Sequence, residues 1–397
     1  MRLQNSFIIN ILAFGVFMFA QQIVIMPNIL KFYGEDIFAD TILIFTLINI
    51  FLYITVYSLG NTFLIKVNLY ETENKSLGDF NLILLVIILV IISLIFVTGL
   101  FFKSIISCSI IGITSILSVL RVWSEFLYRY ENNYKLILLQ NLFYLLGSLL
   151  IFLNFFKMFC DLPYIYFCLA EIMSLVVYIK KILATVKYLK LSSELNKTFA
   201  VFSNVSVQTV MSNVGTYFDR FFLYPVFGAI TLNFYYAVTL SSKAIYLFIT
   251  PINSVLSGYL ASVDEKDKTY IFSYIKRVSR KYFIILSIGA LIISFVILKF
   301  LYSQYFVVGI SLLPVIAVST SLDCLIGIYL LVCRRFLDNQ KLTVISIVRI
   351  ILFCLCAFVL GYYFGINGVI YGILLSNIFT FIVYYYFVKH ILKCNAS

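Results

Sequence analysis

Long apolar segments recur from one end of the chain to the other, and they constrain the fold more than any other feature. A helix needs about 20 apolar residues to cross the hydrocarbon core of a bilayer. Twelve segments meet this requirement, with approximate bounds 6–26, 38–60, 80–102, 104–123, 136–156, 163–180, 200–224, 229–250, 282–301, 307–332, 342–363 and 367–388. The pattern predicts an all-α polytopic membrane protein. Because the run 6–26 lacks a small-x-small cleavage site, we interpret it as the first span and not as a removed signal.

The composition agrees with a membrane fold. Hydrophobic residues make up 63% of the chain and charged residues 12%, whereas soluble domains average about 45–50% and about 25%. Lys and Arg concentrate in alternate loops, and the opposite loops carry only Lys31, Lys103, Lys157 and Lys299. The positive-inside rule therefore predicts that both termini are cytoplasmic. The net charge of +12 is explained by this topology, so we do not interpret it as a nucleic-acid-binding surface.

A basic segment near the middle of the chain predicts how the spans are grouped. The segment 181-KILATVKYLKLSSELNK-197 is rich in Lys, lies near the midpoint of the chain and is predicted on the cytoplasmic side. We expect it to form a linker at 181–199 between two six-helix bundles, 1–180 and 200–397. Six spans per half give both halves the same orientation, which makes them parallel repeats about an axis along the membrane normal.

Proline and glycine mark corresponding points in the two predicted halves. Pro27 is expected to end the first span and is followed by Gly34. Pro225 is expected to end the seventh span and is followed by Gly228. This correspondence agrees with the division into two halves.

The sequence also excludes several classes of function. The longest loop predicted outside covers about 27–37, which is too short for an external catalytic domain. Neither a G-x-x-x-x-G-K-[ST] motif nor a G-x-G-x-x-G motif with a following acidic residue occurs. The single histidine, His390, offers nothing for histidine catalysis or a metal site. We therefore expect secondary transport or lipid handling, with no enzyme activity, no cofactor and no metal.

A polar stripe follows the predicted seventh span. Asn204, Gln208, Ser212, Thr216 and Arg220 recur every four residues, and residues four apart share one face of a helix. Small polar residues can serve helix packing alone, and this alternative remains open. The amides and the arginine favour a face that lines a cavity.

Charged side chains within the predicted spans are the main candidates for function, because such residues are costly in a bilayer. We count three cations and three anions, namely Arg220, Lys243, Arg349, Glu171, Asp219 and Asp323. They form either structural ion pairs or a path for an anionic substrate. Neighbouring helix positions point about 100° apart, so Asp219 and Arg220 cannot face the same way. We predict a structural partner on another helix for Asp219 and a place on the path for Arg220.

The region 213–263 resembles the Wzx-type polysaccharide flippases of the multidrug/oligosaccharidyl-lipid/polysaccharide exporter superfamily. The matching residues are Asp219-Arg220, Gly228, Tyr236, Pro251 and Ser254. Asn233 and Gly258 depart from the family's pattern of a second Gly and a following Pro. The basic residues that the family carries in spans one and two have no counterpart, and Lys31 is the nearest substitute.

The resemblance implies two six-helix bundles around a central cationic cavity. It implies that the substrate is undecaprenyl-diphosphate carrying an oligosaccharide, moved by alternating access to the outer leaflet of the bacterial inner membrane. The expected substrate path consists of Arg220, Lys243, Arg349, Asn204, Gln208, Ser212, Thr216 and Lys31. Arg binds phosphate through two parallel hydrogen bonds and Lys binds it as a point charge. A polysaccharide polymerase and chain-length machinery are expected partners. A proton or sodium ion remains open as the coupling ion, with Glu171, Asp219 and Asp323 as candidate residues.

Two rival functions remain. A drug or cation antiporter of the same superfamily requires an acidic cavity with carboxylates in the first half, where only Glu171 is predicted near mid-membrane. A membrane polysaccharide polymerase requires a large external loop, which the sequence does not provide.

Overall fold

The computed structural model describes residues 2–66, 73–101, 105–153, 162–187, 192–261, 268–336 and 339–393. Helices account for nearly all of these residues, and no strand occurs among them. The predicted all-α class is therefore confirmed.

The first two membrane helices each contain a π-helical segment. Helix α1 (Arg2–Phe19) continues through a π segment (Ala20–Ile25) into α2 (Met26–Tyr33). Helix α3 (Glu35–Leu52) continues through a second π segment (Tyr53–Tyr57) into α4 (Ser58–Lys66).

The remaining helices are longer and follow in the order of the predicted spans. In the first part of the chain they are α5 (Glu73–Phe101), α6 (Ile105–Tyr130), α7 (Tyr134–Ser148), which a 3₁₀ turn (Leu149–Leu153) extends, and α8 (Ile165–Val186). In the second part they are α9 (Leu195–Ala261), α10 (Lys268–Leu301), the short α11 (Phe306–Gly309), α12 (Leu313–Phe336) and α13 (Asn339–Lys393).

Nine stretches of the described residues are long and apolar enough to cross a membrane. Two of them include a glycine that breaks the helix, Gly228 in Asp219–Leu240 and Gly365 in Ile347–Lys389. When α9 and α13 are divided at these glycines, the described helices form twelve segments of membrane length in the predicted order. The chain is a multi-pass membrane protein.

The turns after the first and seventh spans have the same backbone conformation. Gly34 has φ 86° and ψ −179°, and Gly228 has φ 81° and ψ 178°. A Cβ makes this backbone conformation sterically costly, so glycine is essentially the only residue that adopts it. The similarity that the sequence indicates between the two halves therefore extends to the backbone geometry of these turns.

The prolines do not end their helices, contrary to the prediction. Pro27 lies near the start of α2, which continues to Tyr33, and α9 continues through Pro225 to Gly228. Proline lacks the N–H that closes the usual helical hydrogen bond. The π segment Ala20–Ile25 ends two residues before Pro27, and the helix continues into α2 through this change of hydrogen-bond pattern.

Spatial contacts group the chain into two compact units, Met1–Tyr217 and Phe218–Ser397. This boundary lies inside α9. The division of the chain into bundles 1–180 and 200–397 with a linker at 181–199 stays a prediction.

Each unit has its own aromatic core. In the first unit, the ring of Trp123 on α6 lies 5.5 Å from that of Phe63 and 6.2 Å from that of Phe80, measured between centroids. In the second unit, Tyr329 of α12 packs against Phe381 and Tyr385 of α13, with centroids 5.4 and 6.0 Å apart. Aromatic pairs at these separations stabilise helix packing beyond the area that they bury.

Two buried polar residues of α5 hold the chain on both sides of the connection from α8 to α9. The carboxylate of Asp79 accepts hydrogen bonds from the backbone N–H of Ser192 (2.8 Å) and from the Ser192 hydroxyl. The side-chain amide of Asn81 donates to the carbonyl of Thr185 (2.7 Å), near the end of α8. Both ends of this connection are therefore attached to the first unit.

Candidate functional site

Two aromatic residues contact the Asp219–Arg220 pair. The Tyr235 hydroxyl donates a hydrogen bond to Asp219 Oδ2 (2.5 Å), and the Asp219 carboxylate also accepts one from the backbone N–H of Arg220 (2.9 Å). The Arg220 guanidinium carbon lies 5.3 Å from the centroid of the Tyr236 ring, which is a cation–π distance. Both tyrosines follow the turn at Gly228, so these contacts join the two segments of α9.

The burial of these neighbouring charges differs. Arg220 is 5% exposed, whereas Asp219 is partly exposed and borders a pocket within the second unit. The pocket has a volume of about 290 Å³, and its other walls are apolar, including Phe222, Phe353 and Phe358. Asp219 thus combines a contact to the segment after Gly228 with access to an apolar cavity. The role of each residue in transport stays a prediction.

The predicted charges Arg349 and Asp323 form an ion pair. The Arg349 Nη2 atom of α13 donates to Asp323 Oδ1 of α12. The Arg349 side chain is 33% exposed and the Asp323 side chain is 26% exposed, so this ion pair is only partly buried. Asn377 of α13 adds a nearby link, because its amide donates to the carbonyl and to the hydroxyl of Ser319 on α12 (3.2 and 3.0 Å).

The other predicted path residues are described only in part. Asn204 and Lys31 are exposed, and the Lys31 ammonium lies 5.9 Å from the centroid of the Phe32 ring. Four further candidates lie on the helical backbone of α9, but their side chains fall outside the described part of the structure, namely Gln208, Ser212, Thr216 and Lys243.

The first unit contains a buried charge network centred on Glu171 of α8. Its carboxylate accepts hydrogen bonds from Arg121 Nε of α6 (3.2 and 3.0 Å) and from the Ser118 hydroxyl (2.7 Å). Glu171 is 1% exposed and Arg121 is 3% exposed. A buried carboxylate requires such partners, because an isolated charge is very costly away from water.

The network continues along one face of α6. Arg121 Nη1 lies 2.9 Å from Glu125 Oε1, and Arg129 Nη2 lies 3.5 Å from Glu125 Oε2. The order Glu171, Arg121, Glu125, Arg129 alternates in sign, so two guanidinium groups balance two carboxylates. Exposure rises along the network, from the 1% of Glu171 to 30% for the Arg129 side chain.

Uncharged groups of α1 and α7 contact Arg121. Its guanidinium carbon lies 4.1 Å from the centroid of Phe17 on α1 and 5.5 Å from that of Tyr144 on α7. Gln140 of α7 donates to the Arg121 carbonyl (3.2 Å), and Gln21 of the first π segment donates to the Tyr144 hydroxyl (3.2 Å). The network therefore attaches α6 to α1, α7 and α8.

The sequence-based inventory of intramembrane charges was incomplete in the first half. It counted Arg220, Lys243 and Arg349 as the only cations in spans and omitted Arg121, which lies within the predicted span 104–123 and is buried within α6. Glu125 is a second buried carboxylate beside Glu171. The positions 121, 125 and 129 are four residues apart, and this spacing with alternating charge is the signal that would have identified the network.

The charge network is suited to holding helices together. Glu125 lies between two arginines and Glu171 accepts three hydrogen bonds, so both carboxylates have partners on the helices that they join. The described residues of the first unit contain no group of three His, Cys, Asp or Glu side chains that could hold a metal ion.

Comparison with solved structures identifies the fold. An inward-facing multidrug resistance MATE family transporter of the MOP superfamily superimposes with a TM-score of 0.71 at 13% identity, over 98% of this chain and 100% of that chain. The lipid II flippase MurJ in an inward closed conformation superimposes with a TM-score of 0.69 at 15% identity, over 98% and 86%. The Vibrio cholerae MATE transporter VcmN in the bent form gives a TM-score of 0.60 at 14% identity, over 99% and 96%.

Sequence comparison adds no family assignment. No protein-family model matches the chain, and no curated protein matches it. The chain has the MATE/MOP-like fold of multi-pass membrane proteins, as expected from the sequence. Identities this low leave the substrate to be argued from the residues of this chain.

Proposed function

We propose that this protein is a flippase that moves a lipid-linked oligosaccharide from the cytoplasmic to the outer leaflet of the bacterial inner membrane. The proposed substrate is an undecaprenyl diphosphate that carries a repeat unit of O-antigen or a related surface polysaccharide. Both termini would be cytoplasmic, and the two halves would alternate access to the substrate.

The observation that carries this proposal is the buried position of Arg220 within a membrane-spanning helix. Its guanidinium is held over the Tyr236 ring, and only 5% of the residue is exposed. Charged side chains at such positions are rare and indicate function by default. A diphosphate head group requires cationic partners during passage, because its charges cannot enter hydrocarbon unaided. The fold also supports the proposal, since it occurs in a lipid II flippase.

Arg349 and Lys243 are the further cations proposed for the path. Arg349 is paired with Asp323 in a partly exposed position, so a phosphate could replace the carboxylate as its partner without entering a sealed core. Asp323, Asp219 and Glu171 are the proposed structural or coupling carboxylates. A proton or a sodium ion is the proposed coupling ion, and a polysaccharide polymerase is a proposed partner.

The test of this function is a strain that lacks the gene. Loss of surface polysaccharide together with accumulation of lipid-linked oligosaccharide on the cytoplasmic side would support the proposal. Normal surface polysaccharide combined with altered efflux of dyes or drugs would contradict it.

Single substitutions then test the cationic path in the same strain. Arg220→Ala is expected to lower transport roughly tenfold or more, the effect of losing one charge-assisted hydrogen bond. Arg220→Lys should keep part of the activity, because it retains the charge and loses the bidentate geometry. Lys299→Ala is the matched control, since Lys299 is an exposed cation to which no role is assigned. Full complementation by Arg220→Ala at normal membrane levels would contradict the proposed path.

A drug or cation antiporter is the second candidate function. The pocket beside Asp219 favours it, because a carboxylate surrounded by Phe222, Phe353 and Phe358 suits an apolar cation. The Asp219→Asn variant discriminates between the two functions. An antiporter would lose dye efflux while surface polysaccharide stays normal, whereas a flippase would show no dye efflux in either form.

A further inference from the structure

The first unit contains a small polar pocket beside the charge network. Its polar lining comes from the first span, the second π segment, α6 and α7, and consists of Asn10, Tyr57, Arg121, Glu125, Arg129 and Asn141. The space has room for about one water molecule. Nothing in the proposed transport function uses this pocket.

Two buried atoms of the lining lack hydrogen-bond partners among the described residues. Asn141 is 2% exposed, and its amide nitrogen donates to the carbonyl of Ala13 (3.0 Å). Because only the nitrogen can donate to a carbonyl, the buried oxygen Oδ1 is the atom left without a partner. Arg129 Nε is a buried donor without a partner. The two residues that carry this unpaired acceptor and this unpaired donor thus line the same small space. Buried atoms of this kind carry a desolvation cost.

The charges around the pocket restrict what can occupy it. The guanidinium groups of Arg121 and Arg129 both line it, so a metal cation would be repelled. An anion would meet the Glu125 carboxylate and Asn141 Oδ1, both of which are acceptors. A neutral molecule that both donates and accepts hydrogen bonds satisfies all of these groups.

We infer that a bound water molecule occupies this pocket and hydrates the Glu171–Arg121–Glu125–Arg129 network. The water accepts a hydrogen bond from an arginine and donates to Asn141 Oδ1 and to the Glu125 carboxylate. Hydration lowers the cost of keeping two cations and two anions inside a membrane-spanning unit, because bound water replaces part of the solvation lost on burial. This inference does not depend on which substrate the protein moves.

Hydroxyl-radical footprinting of the purified full-length protein by X-ray radiolysis tests the inference, because radicals formed from bound water oxidise adjacent side chains. Phe17 and Tyr57 border the pocket, while Phe80 and Tyr178 are fully buried residues of the same types in the apolar core. We expect oxidation of Phe17 and Tyr57 to be several-fold faster than that of Phe80 and Tyr178. Equal rates within each pair would overturn the inference.

The Asn141→Leu variant separates bound water from access by bulk solvent. Leucine removes the unpaired acceptor and fills part of the space, so oxidation of Tyr57 should fall several-fold while that of the exposed Tyr371 stays constant. Asn141→Asp keeps an acceptor at this position and should retain fast oxidation of Tyr57. An unchanged rate at Tyr57 in folded Asn141→Leu protein would overturn the inference, and so would slow oxidation of Tyr57 in the Asn141→Asp variant.

Discussion

The hydroxyl of Tyr235 donates a hydrogen bond to the carboxylate of Asp219 across the turn at Gly228. These two side chains lie on opposite sides of the turn, so the bond fixes the direction in which the chain re-enters the membrane. It also holds Asp219 at the edge of the apolar pocket while Arg220, one residue later, packs over Tyr236. Asp219 and Arg220 therefore lie in different surroundings although they are adjacent in the sequence.

Tyr235→Phe is expected to lower stability by about 1.5–3 kcal/mol, the usual contribution of a hydrogen bond to a charged group. The thermal midpoint of detergent-purified protein measures this change, and Tyr371→Phe, at an exposed position, is the control. Asp219→Asn combined with Tyr235→Phe should cost less than the sum of the single changes, because both remove the same bond. Additive effects would mean that the bond does not contribute to stability.

Some features of the second unit could be predicted from the pattern of residue types in the sequence. Span order, the turn glycines and the residue pair Asp219–Arg220 follow from hydropathy and composition. The partners of these charges did not follow, because Tyr235 and Tyr236 are neighbours in an aromatic run and only the path of the chain after Gly228 decides which ring contacts which charge. The pairing of Arg349 with Asp323 likewise depends on how α12 and α13 pack.

Alanine at either matching turn glycine should be strained despite available space. Nothing lies within 4 Å of a Cβ built at Gly34 or Gly228, so the only cost is the positive φ. We expect Gly34→Ala and Gly228→Ala each to cost about 1–3 kcal/mol, measured as a lower thermal midpoint.

The helical glycines Gly15 and Gly289 provide the control for this prediction. Their surroundings are equally open, and no positive φ is found at either of them. Alanine at these sites should leave the midpoint unchanged or raise it, because alanine favours helix. A lower midpoint at all four positions would show that the backbone conformation is not the cause.

The network in the first unit escaped sequence-based prediction for a physical reason. Glu125 and Arg129 lower the local hydropathy as if each charge were solvated, so the predicted span ended at 123, and Arg121 near its end was not counted as a charge within the membrane. In the structure α6 continues to Tyr130, since Glu171 and the neighbouring charges of α6 neutralise one another. A hydropathy average assigns each charged residue its own fixed value, so it cannot detect an ion pair between two helices.

Breaking the Arg121–Glu171 pair should be among the most damaging changes in the first unit. Removing one partner of a buried pair leaves an uncompensated charge and costs about 3–5 kcal/mol. Arg121→Met or Glu171→Leu alone should therefore abolish most of the folded protein recovered from membranes, as judged by size-exclusion chromatography. Arg349→Met is the comparison, and it should be milder because the pair with Asp323 is partly exposed.

The double variant Arg121→Met with Glu171→Leu should recover more folded protein than either single variant. Apolar side chains of similar size avoid the unpaired charge, and Glu125 keeps Arg129 as a partner. A double variant as poor as the worse single variant would indicate that the pair has a further role that apolar packing cannot replace.

Asp79→Ala is expected to release the connection between α8 and α9. The fully buried Asp79 carboxylate accepts two hydrogen bonds from Ser192, and both are lost in this variant. Trypsin added to sealed inside-out vesicles should then cleave several-fold faster after the exposed residues Lys187 and Lys197. Asp36→Ala, at an exposed acidic position, should leave the cleavage rate unchanged. Cleavage confined to right-side-out vesicles would contradict the predicted cytoplasmic position of this segment, and an unchanged rate in both preparations would show that Asp79 does not hold it.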